Sequence, residues 1–155
     1  MREMPSEIAS FLASHHVAVA GVSRSGAGPG ALIAKRLRDS GHTVWLVNPA
    51  ADEIGGEPCY RNLSSVPGEL GSVMVVTAPA DSVKVVDEAI ARGVRAVWLH
   101  RSFGEGSVSA EAVERCRAAG VTVVEGGCPM MYLPPVDIAH RVFRFCLELQ
   151  GRVPR

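Results

Sequence analysis

The run Gly21-Val22-Ser23-Arg24-Ser25-Gly26-Ala27-Gly28-Pro29-Gly30 is where residue type and spacing best suit chemistry, and that chemistry is anion binding. A glycine-rich turn leading into a helix aims backbone N–H groups and the positive helix end at a phosphate. Gly21 and Gly26 have the separation of a Walker A loop, but Ala27 and Gly28 stand where Lys and Ser/Thr are needed. Nucleotide hydrolysis by that route is disfavoured. Against G-x-G-x-x-G, Gly21 and Gly26 fit the outer positions and Ser23 replaces the middle glycine, adding bulk and a hydroxyl donor.

Other residue types offer less. An NAD site places an acid at the end of the second strand for the ribose hydroxyls, whereas this chain has Val47-Asn48-Pro49, with Asp52 and Glu53 too late. NADP, with Arg24 on a phosphate, fits better than NAD. His15, His16, His42 and His140 read as structural or solvated, and His100 alone falls at a strand's carboxyl end, where α/β folds bind ligands. The four cysteines show no metal-ligand spacing. Three of them, Cys59, Cys116 and Cys146, read as small core residues, and all four as free thiols. Cys128, between Gly127 and Pro129, has two readings: a thiol activated at a helix amino end, or, preferred, a buried thiol beside a turn. No complete catalytic set emerges, so an enzyme is the lesser expectation.

The elements that position these residues follow a repeat of apolar run, amphipathic stretch and glycine. Residues 17–22, 43–47, 73–77, 96–99 and 121–124 read as strands buried on both faces, with a short edge strand near 58–60. Residues 29–40, 80–92 and 109–119 each carry one apolar stripe and are followed by Gly41, Gly93 and Gly120 as helix stops. A first helix is expected over about 6–14. A last one over about 137–149 should turn Ile138, Val142, Phe145, Cys146 and Leu149 toward the sheet. The tail 151–155 is expected to fray.

This pattern specifies an α/β fold: a doubly wound parallel sheet, Rossmann-like, in three α/β/α layers, with strand order 3-2-1-4-5-6. Val19, Val44, Val75 and Val97 should be deeply buried. The ligand cleft should lie between the strands ending at Val22 and Thr77, with Gly21, Ser23, Asn48, Thr77 and Pro79 lining one cavity.

Composition sets the outer bounds. With 155 residues, 47% of them hydrophobic, residues 1–155 are expected to form a single domain with a packed core. Sixteen basic residues balance sixteen acidic ones without long blocks, which argues against nucleic acid or an anionic membrane as partner. No membrane-length apolar run is present, and Glu3 and Glu7 do not suit a signal peptide, so a cytoplasmic location is expected.

Five separated features together resemble a family. They are Gly21-Val22-Ser23, Val47-Asn48-Pro49, Ile54-Gly55-Gly56 with Pro58-Cys59-Tyr60, Ala78-Pro79, and Gly127-Cys128-Pro129. In this order and spacing the chain resembles the stand-alone CoA-binding proteins of bacteria, related to the amino-terminal domain of the succinyl-CoA synthetase α subunit. The resemblance implies a cofactor, coenzyme A or an acyl-CoA, with phosphates at Gly21, Ser23 and Arg24. It also implies adenosine beside Asn48 and Pro49, and a cleft bordered by Thr77, Ala78 and Pro79, with Cys128 near the thiol end. Where relatives tend to carry Gln and Gly after the Trp-Leu of the next strand, this chain carries His100 and Arg101. The implied function is non-catalytic binding of CoA or an acyl-CoA, with a protein partner left open. The alternatives are an NADP-linked or redox-sensing Rossmann protein and a degenerate domain acting only by protein contact.

Overall fold

The computed structural model describes residues 3–102 and 104–154. In chain order the elements are α1 (Ser6–Leu12), β1 (His16–Ala20), α2 (Pro29–Asp39), β2 (Thr43–Val47), β3 (Glu53–Ile54), β4 (Glu57–Tyr60) and β5 (Ser72–Val75). They continue with α3 (Pro79–Ala91), β6 (Ala96–Leu99), α4 (Ala110–Ala118), β7 (Thr122–Glu125) and α5 (Ile138–Leu149). The sheet order is β3-β4-β2-β1-β5-β6-β7, and every neighbouring pair is parallel except β3 with β4. This is the expected doubly wound order with one addition. The two-residue strand β3, joined to β4 by the Gly55-Gly56 turn, is too short to carry an apolar pattern that sequence reading could detect.

Two apolar cores lie on opposite faces of the sheet. On one, α1 and α2 bring Ile8, Phe11, Ile33 and Leu37 against Val17, Val19, Met74 and Trp98. On the other, α3 and α4 bring Val86, Ala89, Val113 and Cys116 against Ala18, Val73, Val75 and Val97. The expected anchors Val19, Val44, Val75 and Val97 are all buried. Parallel strands covered on both faces need apolar residues at successive positions, which is why β1, β5 and β6 read as unbroken valine-rich runs. Trp98 satisfies its indole N–H on the Gly126 carbonyl at 2.9 Å and meets Phe11 edge-on.

Three expectations need correction. The α5 stripe turns outward: Ile138, Val142, Phe145 and Leu149 are 79, 52, 54 and 68% exposed, while Leu147 and Glu148 on the opposite side are buried. Cys146 is exposed with that stripe and is no core residue. The tail does not hang free, since Val153 is buried and the Arg152 carbonyl accepts from Arg101 Nη2 at 2.9 Å. Arg155 lies outside the described residues.

Candidate functional site

The site is assembled at the carboxyl ends of the parallel strands. Gly21 follows β1 at the point where chains on either side diverge, its N–H bonded to Val47 O at 3.0 Å. Its φ is +100°, and a Cβ there would collide with the Val76 carbonyl, so only glycine lets β1 leave the sheet this close to β5. Ser23 and Arg24 follow on an exposed loop. Ser23 Oγ lies 2.9 Å from Ser25 Oγ and accepts weakly from Ser25 N–H at 3.3 Å, while Ser23 O accepts from Gly26 N–H. Arg24 has no ion-pair partner among the described residues. Gly28, at φ +87° with open space around it, precedes α2, and Pro29 opens the helix. The first N–H groups of a helix have no acceptor within it, and here they face an open, exposed loop.

Asn48 and Pro49 follow β2. Asn48 Nδ2 donates to Val22 O at 2.8 Å and its Oδ1 accepts from Ala50 N–H at 2.8 Å, so its side chain ties the loop after β1 to the loop after β2. Pro49 is exposed, with its carbonyl accepting from Arg61 Nη1 at 3.3 Å. Thr77 and Ala78 leave β5 and lead to Pro79, the first residue of α3. Thr77 Oγ1 lies 3.0 Å from Ser82 Oγ, which in turn donates to Ser107 O at 2.7 Å.

Beside this junction is a cavity of about 560 Å³, within the usual range for small-molecule sites. Leu32, Ile33, Val76, Ala78 and Met130 supply its apolar wall, and Thr77, His100, Ser102, Cys128 and His140 its polar atoms. Of the nine residues expected to bind, it collects Thr77, Ala78 and Cys128. Gly21, Ser23, Arg24, Asn48, Pro49 and Pro79 lie outside its lining, so the single cavity expected from Gly21, Ser23, Asn48, Thr77 and Pro79 divides into an exposed loop and a neighbouring pocket.

Burial sets the chemistry of the pocket. Cys128 is 3% exposed, and desolvation pushes its thiol up to about 11. The activated-thiolate alternative therefore loses its basis, because the helical turn that Cys128 opens spans only Pro129–Met131 and cannot offset the burial. His100 is 8% exposed, and burial, then the neighbouring His140, pulls it down to about 4, which keeps it neutral at pH 7. Its Nε2 lies 3.3 Å from Ser102 Oγ. His140 was expected to be structural or solvated. It lines the cavity while its Nδ1 lies 2.5 Å from Asp137 Oδ2, the cap of its own helix. Asp137 caps α5 by accepting from His140 N–H at 2.9 Å, and that bond with the imidazole contact holds its carboxyl below the usual range. The Asp-x-x-His spacing at a helix start was the only sequence signal for this pair.

Residues 15–134 match the family of the CoA binding domain. The chain belongs to that family. This CoA-binding-domain protein is 34% identical over 119 residues to an ADP-forming acetate–CoA ligase I of Archaeoglobus fulgidus, a match covering 72% of this chain and 17% of the ligase. It thus spans under a fifth of that relative. An uncharacterized protein of Bacillus subtilis, YneT, is 25% identical, with 83% of this chain and 87% of that one covered. Among solved structures, a hypothetical protein from Pyrococcus horikoshii superimposes with a TM-score of 0.72 at 25% identity, covering 83% of this chain and 93% of its own. Another, from Pyrococcus furiosus, gives 0.61 at 32% identity, covering 71% and 91%. No helix among the described residues is long and apolar enough to cross a membrane.

Proposed function

We propose that this chain binds coenzyme A, or an acyl-CoA, as a carrier or sensor and not as a catalyst. The phosphates would lie on the loop from Gly21 to Gly28, the adenosine beside Asn48 and Pro49, and the pantetheine arm past Thr77, Ala78 and Pro79 toward Cys128. The observation that carries this reading is the adjacency of two unlike surfaces. An exposed loop with Arg24 free of ion pairing opens onto the amino end of α2, and the same helix contributes Leu32 and Ile33 to an apolar cavity. CoA has this division, with anionic phosphates at one end and an uncharged arm at the other. Binding without catalysis is favoured because Cys128 is held as a neutral thiol, far from the thiolate a nucleophile or redox sensor needs.

Thermal-shift measurements with CoA, dephospho-CoA, NAD and NADP test the reading, since a ligand that prefers the native state raises its stability by mass action. CoA should give the largest shift. Arg24→Ala should weaken CoA more than dephospho-CoA if Arg24 meets the 3′-phosphate, by the roughly 1.5 to 3 kcal/mol of a hydrogen bond to a charged group. Stabilisation by NADP and none by CoA would replace this reading with the NADP-linked one.

A further inference from the structure

We propose that the cavity is an acyl pocket that takes the short, uncharged aliphatic acyl group of a CoA thioester in preference to free CoA or to an acyl group bearing a carboxylate. The inference rests on the CoA reading above and names the ligand class at the same site.

Three observations converge on it. The first is the lining: Leu32, Ile33, Val76 and Met130 form an aliphatic wall, and neither Lys nor Arg is among the described residues that line the cavity. A free thiol at the end of the arm would leave most of that wall wet. A few methylenes would cover it, each raising affinity roughly three- to fourfold. The second is Leu32, 56% exposed at the rim although α2 has its buried side on Ile33 and Leu37. Apolar surface left open beside an apolar cavity marks a ligand-binding edge.

The third is the polar inventory. His100 is more than nine-tenths buried and lines the cavity, with its Nε2 3.3 Å from Ser102 Oγ. The N–H of a neutral imidazole at this position can donate to a thioester carbonyl brought into the cavity. Neutral His100 cannot balance a carboxylate, and His140 is already engaged with Asp137. A succinyl or malonyl group would therefore place its carboxylate against a mostly apolar wall, with no Lys or Arg among the described residues lining it.

Calorimetric titration of the full chain with CoA, acetyl-CoA, butyryl-CoA and succinyl-CoA tests the proposal. Butyryl-CoA should bind about tenfold more tightly than acetyl-CoA, and succinyl-CoA should bind more weakly than butyryl-CoA by at least about the same factor. Leu32→Asp, a change at an exposed position that folding tolerates, should pull the butyryl-to-CoA affinity ratio down toward one. Equal affinities for all four ligands would overturn the acyl pocket while leaving CoA binding intact, and so would tightest binding of succinyl-CoA. A ratio unmoved by Leu32→Asp would remove the acyl group from this cavity. Failure of all four to bind would bring down the CoA reading, and the acyl pocket with it.

Discussion

Residues 23–28 are exposed throughout and bonded chiefly to one another, whereas His100, Ser107 and Cys128, at the same edge of the sheet, are at least nine-tenths buried. Both regions are turns that follow parallel strands. The difference is what is laid over them. The first is left exposed, with open space around Gly28. The second is closed in where Ser107 N–H donates to His100 O at 2.7 Å, and by Cys128 and Met130 from the chain after β7. One sheet edge thus offers two dielectric environments, a wet one suited to charge and a dry one suited to an apolar group.

Glycine substitutions break this comparison most severely. Gly21 and Gly28 both have φ between +20° and +160°, so either pays the same kind of backbone strain when a side chain is added. Only Gly21 also has a wall behind it, the carbonyl of Val76, itself fixed by the Val76 N–H to Ala20 O bond at 2.8 Å. Gly21→Val should cost about 3 kcal/mol or more, from strain and overpacking together. Gly28→Ala should cost about 1 to 2 kcal/mol from strain alone. Denaturant unfolding of both variants checks the difference, and equal losses would mean that the junction at Gly21 is as yielding as the loop.

The buried imidazole gives the next effect, and its sign is fixed. His100 titrates near 6.5 unfolded and near 4 folded, so between those values the unfolded chain binds more protons and stability rises with pH. The contribution is fully present above about pH 6.5 and is lost as pH falls toward 4, a change of up to about 3 kcal/mol. Asp137, also depressed, gives up its own contribution only as pH falls through the lower carboxylate range. His100→Gln should flatten the unfolding free energy between pH 4 and 6.5. An unchanged slope would show that water reaches the ring and that the pocket is not dry.

How much of this was legible depended on whether a residue's role was written in its neighbours along the chain. Val73 to Val75 announce a covered parallel strand because adjacent positions face both cores. The loop after β1 was legible for a similar reason, since glycine spacing and the start of a helix are local features. The cavity was not, because it joins Leu32, Ser102, Met130 and His140 from four distant segments, and only folding brings them together. His140 was passed over as a lone histidine on an amphipathic helix. Its partner is three residues away, but its importance lies in facing His100, forty residues back. The outward turn of α5 was misread because periodicity identifies an apolar stripe without saying which side of the helix meets the protein.

That misreading yields the smallest predicted effect, at the cavity's α5 wall. His140 reaches the pocket from the same helix that leaves Phe145 54% exposed and buries Leu147 to 7%. A side chain already in water loses little transfer free energy on truncation, so Phe145→Ala should change stability by no more than about 0.5 kcal/mol. Leu147→Ala removes packing against the core that also holds Met131 and Tyr132, and should cost about 2 to 5 kcal/mol. The pair isolates orientation from composition, since both residues are large and apolar and lie two positions apart on one helix. Ligand affinity should follow the same division, with Phe145→Ala neutral because the outward face does not touch the cavity. If Phe145→Ala destabilised the chain as much as Leu147→Ala, the outward stripe would be covered in solution, and the wall that carries His140 would be held from both sides.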